Sequence, residues 1–263
     1  MSADLASALA PLLAPVQDMF WAGFVVFLRL GAMMALLPLF GEQAVPVRIR
    51  LALAFAFTLV VAPAVAASLP DPGGPGRFLA LLLGEAAAGL ALGLLLRLLV
   101  IALQTAGAIA GQATSLSQLF GAGPGGEPSP AMGHLLVMGG LALAAAMGLH
   151  VRLALWMVDG YAVIPAGAVL DPGLMLEAGL GGVARAFALA VSLAVPFVAA
   201  ALLYNVVLGV INRAMPQLMV TFVGAPALTF GGLVLMAIAL PVLLDVWGAA
   251  LEAALALPGG DLP

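Results

Sequence analysis

Cysteine and lysine are both absent from the 263-residue sequence. Without cysteine the chain forms no disulfide, and thiolate zinc sites, iron–sulfur clusters and thiol catalysis are excluded. The eight basic residues are all arginines at scattered positions. Because nucleic-acid binding needs clustered cations that displace counterions from phosphates, we expect no nucleic-acid partner.

Charge is scarce as well, since charged residues make up only 8% of the chain and soluble domains carry about 25%. Hydrophobic residues make up 65%, so the chain cannot form the charged surface that keeps a globular protein dissolved. Lipid must then be the solvent for much of its surface. We predict an all-α integral membrane protein with a single domain, residues 1–263.

Six or seven apolar stretches are long enough to be membrane-spanning helices, because about 20 residues at ~1.5 Å each cross the hydrocarbon core. They are residues 19–40, 51–69, 78–103, 131–149, 153–170, 184–211 and 218–247. The fifth contains Asp159 and Pro165, so a short or re-entrant segment is the alternative there. The first 18 residues contain two aspartates and no basic residue, which favours an interfacial segment over a cleaved signal peptide.

Proline falls inside or at the ends of several apolar stretches. The positions are Pro38, Pro63, Pro165, Pro196, Pro226 and Pro241. Ordinary kinks are one interpretation, and broken helices that line a conduit are the other. Glycine, serine and proline cluster between residues 111 and 130, which we predict to be the longest non-helical segment.

Ionisable side chains inside apolar segments often indicate function in membrane proteins, since each costs about 2.5–3.5 kcal/mol at the centre of a helix. The candidates are Arg29, Glu85, Arg97, Asp159, Arg213 and Asp245. Arg29 lies in the middle of the first span, so we expect it to be buried and paired. Glu85 and Arg97 lie ~18 Å apart on one helix and cannot pair with each other. Either each has a partner on another helix or subunit, or they lie near opposite membrane edges, where Arg97 snorkels.

Enzyme signatures are missing from the sequence. It contains no HExxH, GxSxG or paired-aspartate motif. His134 and His150 lie at opposite ends of one apolar segment and cannot share a metal within that helix. We therefore predict no enzymatic activity, no cofactor and no metal.

Three ordered blocks of the sequence resemble the FliR family of flagellar biosynthesis proteins. The first block, FLRLGAMMALLPLFGEQAVPVRIRLALA, is similar to the family's first hairpin. The second, LLGEAAAGLALGLLLRLLVIALQTAGAIAGQ, is similar to its E-x-x-x-G-x-x-x-G helix. The third, LGVINRAMPQLMVTFVGAPALTFGG, resembles its N-R-x-x-P-Q core followed by Gly-x-Pro.

The resemblance implies a single-copy subunit of the type III protein export gate in the flagellar basal body of the bacterial inner membrane. FliR-like proteins assemble with FliP-like and FliQ-like proteins into a helical pore for unfolded proteins, and they look like one subunit of each type fused together. Much of that pore sits above the membrane plane. Further implied partners are FlhB-like and FlhA-like proteins and membrane lipid.

The resemblance also assigns roles to individual residues. By similarity, residues 107–124 form the loop that plugs the closed pore, although an ordinary connecting loop is the alternative. The residues assigned to the plug are Gly107, Gly111, Gln112, Ser115, Ser117, Phe120, Gly123 and Pro124. Those expected at helix or subunit contacts are Arg29, Glu85, Arg97, Asn212, Arg213, Pro216, Gln217, Gly224 and Pro226.

Two other functions stay open at the level of sequence. A secondary transporter for a small solute would suit broken helices and buried charges, although no repeated halves are visible. The equivalent subunit of a virulence injectisome would share the same motifs. An intramembrane enzyme is a remote third reading, because the motifs of such enzymes are missing.

Overall fold

The structure is a computed structural model that describes residues 2–42, 44–71, 73–114, 131–168, 170–215 and 220–256. Within these ranges it contains seven α-helices and no strand. The helices are α1 (Ser2–Met34), α2 (Val47–Val65), α3 (Pro75–Ala113), α4 (Ala131–Ala146), α5 (Leu149–Val163), α6 (Pro172–Ala214) and α7 (Val220–Ala256), and a 3-10 turn, Ala66–Ser68, follows α2. The prediction of an all-α protein is confirmed.

Five helical segments in the described ranges are long and apolar enough to cross a membrane. They are Pro15–Met34, Val47–Ser68, Pro75–Ala113, Pro172–Ala214 and Pro226–Ala256. Helices α4 and α5 meet the same criterion only when they are taken together, across a break of two residues. Gly148 makes this break with a φ of 73°, a left-handed conformation that glycine adopts without steric cost. The chain is therefore a multi-pass membrane protein, as predicted.

Several predicted boundaries are wrong for reasons of backbone chemistry. Helix α1 ends at Met34 and not at residue 40, because the ring of Pro38 would clash with the carbonyl group four residues earlier. Helix α5 ends at Val163 and not at residue 170, because Pro165 holds Ile164 in an extended conformation, with φ −120° and ψ 90°. Helix α1 begins at Ser2, so it includes most of the first 18 residues, and their interfacial position stays a prediction.

The predicted start of the long loop is also wrong. Gly107, Gly111 and Gln112 belong to α3, which continues to Ala113. The sequence there is alanine-rich, and alanine is the strongest helix former. The helical cost of glycine, about 1 kcal/mol each relative to alanine, is offset at Gly107 by close packing on the backbone of Gly133.

Proline occurs inside three of the helices without ending them. Pro63 lies within α2, Pro196 within α6, and Pro226 and Pro241 within α7. The helix continues on both sides of each proline. Broken helices are therefore not found at these four positions, and the kink interpretation applies to them.

The chain divides into two compact units. Unit 1 comprises Met1–Arg97, Met147–Leu180 and Glu252–Pro263, and unit 2 comprises Leu98–Ala146 and Gly181–Leu251. In unit 1, α2 packs against α1 and α5. In unit 2, the fully buried Trp247 donates its indole N–H to the carbonyl oxygen of Leu99 at 2.9 Å. Each unit thus has a core of its own.

Candidate functional site

Arg29 and Glu85 form an ion pair in the core of unit 1. Both residues are 1% exposed. Arg29 lies on α1 and donates from Nε to Glu85 Oε2 at 2.9 Å and from Nη2 to Oε1 at 3.0 Å. This bidentate geometry is the strongest that a guanidinium and a carboxylate adopt. The structure therefore brings together two residues that the sequence could only mark as needing partners.

The remaining hydrogen-bonding groups of the pair are also satisfied. Arg29 Nη1 donates to the carbonyl oxygen of Ile164 at 2.7 Å. Glu85 Oε1 accepts the backbone N–H of Gly167 at 3.0 Å, and Oε2 accepts the Tyr161 hydroxyl at 3.3 Å. The guanidinium carbon also lies 3.8 Å from the centre of the Tyr161 ring, which is a cation–π contact.

We call Arg29, Glu85, Tyr161, Ile164 and Gly167 the buried charge cluster. It connects α1, α3, α5 and the turn after α5. A guanidinium does not release its proton in proteins, so Arg29 is a permanent charge, and its contacts hold three helices together. Sequence reasoning missed Tyr161, Ile164 and Gly167, two of which take part through backbone atoms that carry no sequence signal.

Close backbone contact between α1 and α3 surrounds the buried charge cluster. A Cβ atom added at Gly89 would overlap the carbonyl oxygen of Arg29, and one added at Gly93 would lie 2.9 Å from that of Met33. The Gly89–Gly93 spacing is therefore a packing motif of the small-residue type. It places the two helices close enough for Glu85 to reach Arg29.

Arg97 lies twelve residues beyond Glu85 and pairs with Glu42, in the turn after α1. Their side chains are 21% and 19% exposed, so the pair is partly buried. Arg50 of α2 donates from Nη2 to the carbonyl oxygens of Glu42 and Val45, at 3.1 and 3.2 Å. The turn is thus fixed by arginines from two helices, and Glu42 had not been singled out from the sequence.

Among the other ionisable candidates, Asp159, Arg213 and Asp245 are exposed on the single chain. Their place inside apolar segments therefore does not bury them within the single chain. Asn212 is exposed as well, next to Arg213 in the last turn of α6. A cation at this place is favourable for the helix dipole, and both side chains are accessible to another protein.

The hairpin of α6 and α7 contains the rest of the N-R-x-x-P-Q block. Pro216 and Gln217 lie outside the described residues. Gly224 is buried, and its carbonyl oxygen accepts the hydroxyl of Tyr204. A Cβ atom at Gly224 would lie 2.9 Å from that hydroxyl, so the position has no room for a side chain. Pro226 is exposed within α7.

The end of α3 in unit 2 contacts both α4 and α7. Thr114 donates to the carbonyl oxygen of Ala110 at 2.9 Å and contacts the sulfur of Met132 at 3.9 Å. A Cβ atom at Gly232 of α7 would lie 2.6 Å from the Thr114 methyl group. The end of α3 and the start of α4, which flank residues 115–130, therefore lie side by side.

Five of the residues assigned to the plug lie outside the described residues. They are Ser115, Ser117, Phe120, Gly123 and Pro124. Their role as a plug stays a prediction. Within the described ranges, no three His, Cys, Asp or Glu side chains come together in a group able to hold a metal.

Comparison with known proteins extends over almost the whole chain. The sequence model of bacterial export proteins, family 1, matches residues 20–254. The flagellar biosynthetic protein FliR of Caulobacter vibrioides is 34% identical over 225 residues, which cover 85% of this chain and 90% of that protein. The FliR proteins of Escherichia coli and Aquifex aeolicus are each 31% identical, over 225 and 166 residues. The match to the Escherichia coli protein covers 84% of this chain and 84% of that protein. The match to the Aquifex aeolicus protein covers 63% of this chain and 64% of that protein. The chain belongs to the FliR family of bacterial export proteins.

Proposed function

We propose that this chain is the FliR-type subunit of a flagellar type III protein export gate in the bacterial inner membrane. With FliP-like and FliQ-like subunits it forms the pore through which unfolded flagellar proteins cross. The observation that carries this proposal is the near full-length similarity to FliR proteins from three bacteria, each named a flagellar biosynthetic protein. The role is structural, and the energy for export comes from other components.

The length of the apolar helices supports an assembly. Helix α6 has 43 residues and is therefore roughly 64 Å long, about twice the ~30 Å of the hydrocarbon core. Segment Pro172–Ala214 is strongly apolar, with a mean hydropathy of 2.4 in its most apolar window, yet only 33% of that window is buried within the chain. For Pro226–Ala256 the buried share is 22%. Such surface outside the bilayer needs other protein to cover it, and sister subunits with apolar helices fit this need.

The exposed polar residues at the end of α6 suit a subunit contact. Asn212 and Arg213 are exposed and lie in the block most similar to the family. We propose that they bind a FliP-like or FliQ-like subunit, and that the 115–124 segment plugs the closed pore. FlhB-like and FlhA-like proteins complete the gate, and lipid covers the helical surface that remains within the bilayer.

Native mass spectrometry tests the assembly directly. The tagged chain is expressed with its neighbouring genes and extracted in mild detergent. We expect one copy of the chain bound to several FliP-like and FliQ-like chains. A monomer or homodimer, found while those partners are present but unbound, would overturn the proposal and favour a solute transporter.

The same experiment tests the subunit contact through Arg213→Ala. We expect this variant to lose most of the complex while the isolated chain keeps its unfolding temperature, because Arg213 is exposed at a helix end. Arg77→Ala, an exposed arginine in the first turns of α3, is the matched control and should assemble normally. Normal assembly of the Arg213→Ala variant would rule out the contact.

A further inference from the structure

The start of α2 carries two arginines without a carboxylate partner. Glu42 is the single acidic residue between positions 19 and 70, and it pairs with Arg97. Among the described residues, neither Arg48 nor Arg50 forms an ion pair. This part of unit 1 therefore holds two uncompensated positive charges.

The two arginines are held differently. Arg50 is fixed against the turn by its hydrogen bonds to the carbonyl oxygens of Glu42 and Val45. Its Nε is buried and has no acceptor in the described part of the chain. Arg48 is exposed. The Arg50 guanidinium is thus fixed in position with its Nε unpaired, and the exposed Arg48 can approach an anion.

An exposed apolar stripe begins beside these arginines and follows α2. Its residues recur every fourth position and therefore share one face of the helix. They are Val47 (74% exposed), Leu51 (49%), Phe55 (53%) and Leu59 (76%). From Val47 to Leu59 the stripe covers twelve residue steps, or roughly 18 Å along the helix axis, a length that an extended acyl chain can follow.

The opposite end of unit 1 carries two aspartates and one arginine, Asp18, Asp71 and Arg77, so it has no excess of positive charge. Trp21 donates to the carbonyl oxygen of Pro70 at 2.9 Å, and Phe24 stacks on Phe78 at 6.3 Å, so the start of the first span and the turn before α3 lie together. Asp18 and Asp71 are close to these contacts in sequence. Basic residues favour the cytoplasmic side of a membrane, which places Arg48 and Arg50 at the leaflet surface where anionic lipids attract cations.

We propose that Arg48 and Arg50 bind the phosphate group of an anionic phospholipid whose acyl chain lies along the stripe from Val47 to Leu59. A guanidinium fork matches the geometry of phosphate oxygens and is less strongly hydrated than an ammonium group. The lipid phosphate supplies the negative charge that the two arginines lack, and the acyl chain of the lipid packs along the apolar stripe. This site goes beyond the export function and requires only that unit 1 lies in a membrane.

Native mass spectrometry of the full-length chain with added lipid tests the site. Phosphatidylglycerol and phosphatidylcholine with identical acyl chains are titrated into the protein in detergent. We expect the chain to retain phosphatidylglycerol preferentially. Arg48→Gln should weaken that binding about fivefold, which corresponds to ~1 kcal/mol for one basic residue at an anionic surface, and should leave phosphatidylcholine binding unchanged.

Two further variants sharpen the result. Arg77→Gln removes another exposed arginine, from α3, and should leave the binding of both lipids unaffected. Arg48→Lys keeps the charge and should retain most of the phosphatidylglycerol binding. Equal retention of the two lipids by the unaltered chain would overturn the proposal, as would equal losses in Arg48→Gln and Arg77→Gln. Displacement of phosphatidylglycerol by equimolar inorganic phosphate would also overturn it, by assigning a free-anion site.

Discussion

At the scale of single residues, the buried charge cluster shows how a membrane protein keeps an ion pair in its interior. Removing two charges from water costs several kcal/mol per ion, and their attraction repays this only with good geometry and additional hydrogen bonds. Arg29 and Glu85 meet both conditions, with two short contacts between them and further bonds to Tyr161, Ile164 and Gly167. Two of these bonds fix the turn after α5, so the charges specify a backbone arrangement.

Glu85→Gln should destabilise the chain strongly. The substitution keeps the size of the side chain but leaves the Arg29 guanidinium buried without a counter-charge. Breaking a buried pair in this way costs about 3–5 kcal/mol. We expect a clearly lower midpoint in thermal unfolding of the purified chain in detergent.

The pair between Arg152 and Glu252 provides the matched control. It has a similar distance, 3.0 Å, but its side chains are 44% and 49% exposed. An exposed pair contributes about 0–1 kcal/mol, so Glu252→Gln should leave the midpoint almost unchanged. Equal shifts for the two glutamine variants would show that burial of the Arg29–Glu85 pair does not determine its contribution.

Part of this cluster could be predicted from the sequence. Arg29 is marked by its place in the middle of an apolar span, where a charge cannot reach water. Its partner could not be identified, because pairing with Glu85 depends on how α1 and α3 align across 56 residues of sequence. The contacts made by Ile164 and Gly167 use backbone atoms, and any residue type provides those. The exposure of Arg213 could not be predicted from the sequence, because an apolar segment does not show which face of its helix is covered by other helices.

At the scale of helices, glycine determines how closely α1 and α3 approach. Gly89 and Gly93 are one helical turn apart and face the backbone of α1. Without a hydrophobic force between helices in lipid, such close packing is what holds them together. With 32 glycines in the chain, spacing alone could not separate this motif from chance matches.

Gly89→Ala should disturb this packing, because the added methyl group would overlap the carbonyl oxygen of Arg29. Overpacking of this kind typically costs about 1–3 kcal/mol. Gly209→Ala is the control, since Gly209 lies inside α6 with nothing within 4 Å of the added atom and should be stabilised by about 0.5–1 kcal/mol. Thermal unfolding in detergent compares the two, and a stabilised Gly89→Ala variant would contradict the proposed contact.

Two helix ends, both predicted too far along the chain, follow a local rule. Pro38 and Pro165 lie just beyond the ends of α1 and α5, as proline chemistry requires. The end of α3 was missed because the family resemblance assigned Gly107 to the plug loop, whereas Gly107 lies within α3 and packs on Gly133. Such a contact between distant segments has no counterpart in local sequence.

At the scale of the whole molecule, three helices are much longer than a bilayer is thick. Helix α3 has 39 residues and α7 has 37, which correspond to roughly 58 and 55 Å. Both helices are strongly apolar, with a mean hydropathy of 2.4 in the most apolar window of Pro75–Ala113 and of Pro226–Ala256, so hydropathy alone predicted membrane spans. A span needs about 20 residues, so each helix has an excess of length, which under the proposed function packs against other subunits.

Removing residues 116–124 should open the closed pore if this segment is the plug. Thr114 and Met132 are in contact, so the remaining residue 115 and residues 125–130 need to connect only a short distance. Seven residues reach roughly 23 Å when extended, which means that the deletion leaves the ends of α3 and α4 unstrained. We therefore expect the export complex to assemble with the shortened chain.

Leakage of small molecules across the membrane provides the measurement. Cells or vesicles with the deletion complex should admit a small solute faster than those with the unaltered complex at the same abundance. Native mass spectrometry confirms assembly in both samples, so that a failure to assemble is not taken for a closed pore. An assembled complex with unchanged leakage would show that residues 116–124 form an ordinary connection, and the closed state would then depend on contacts made by the helices themselves.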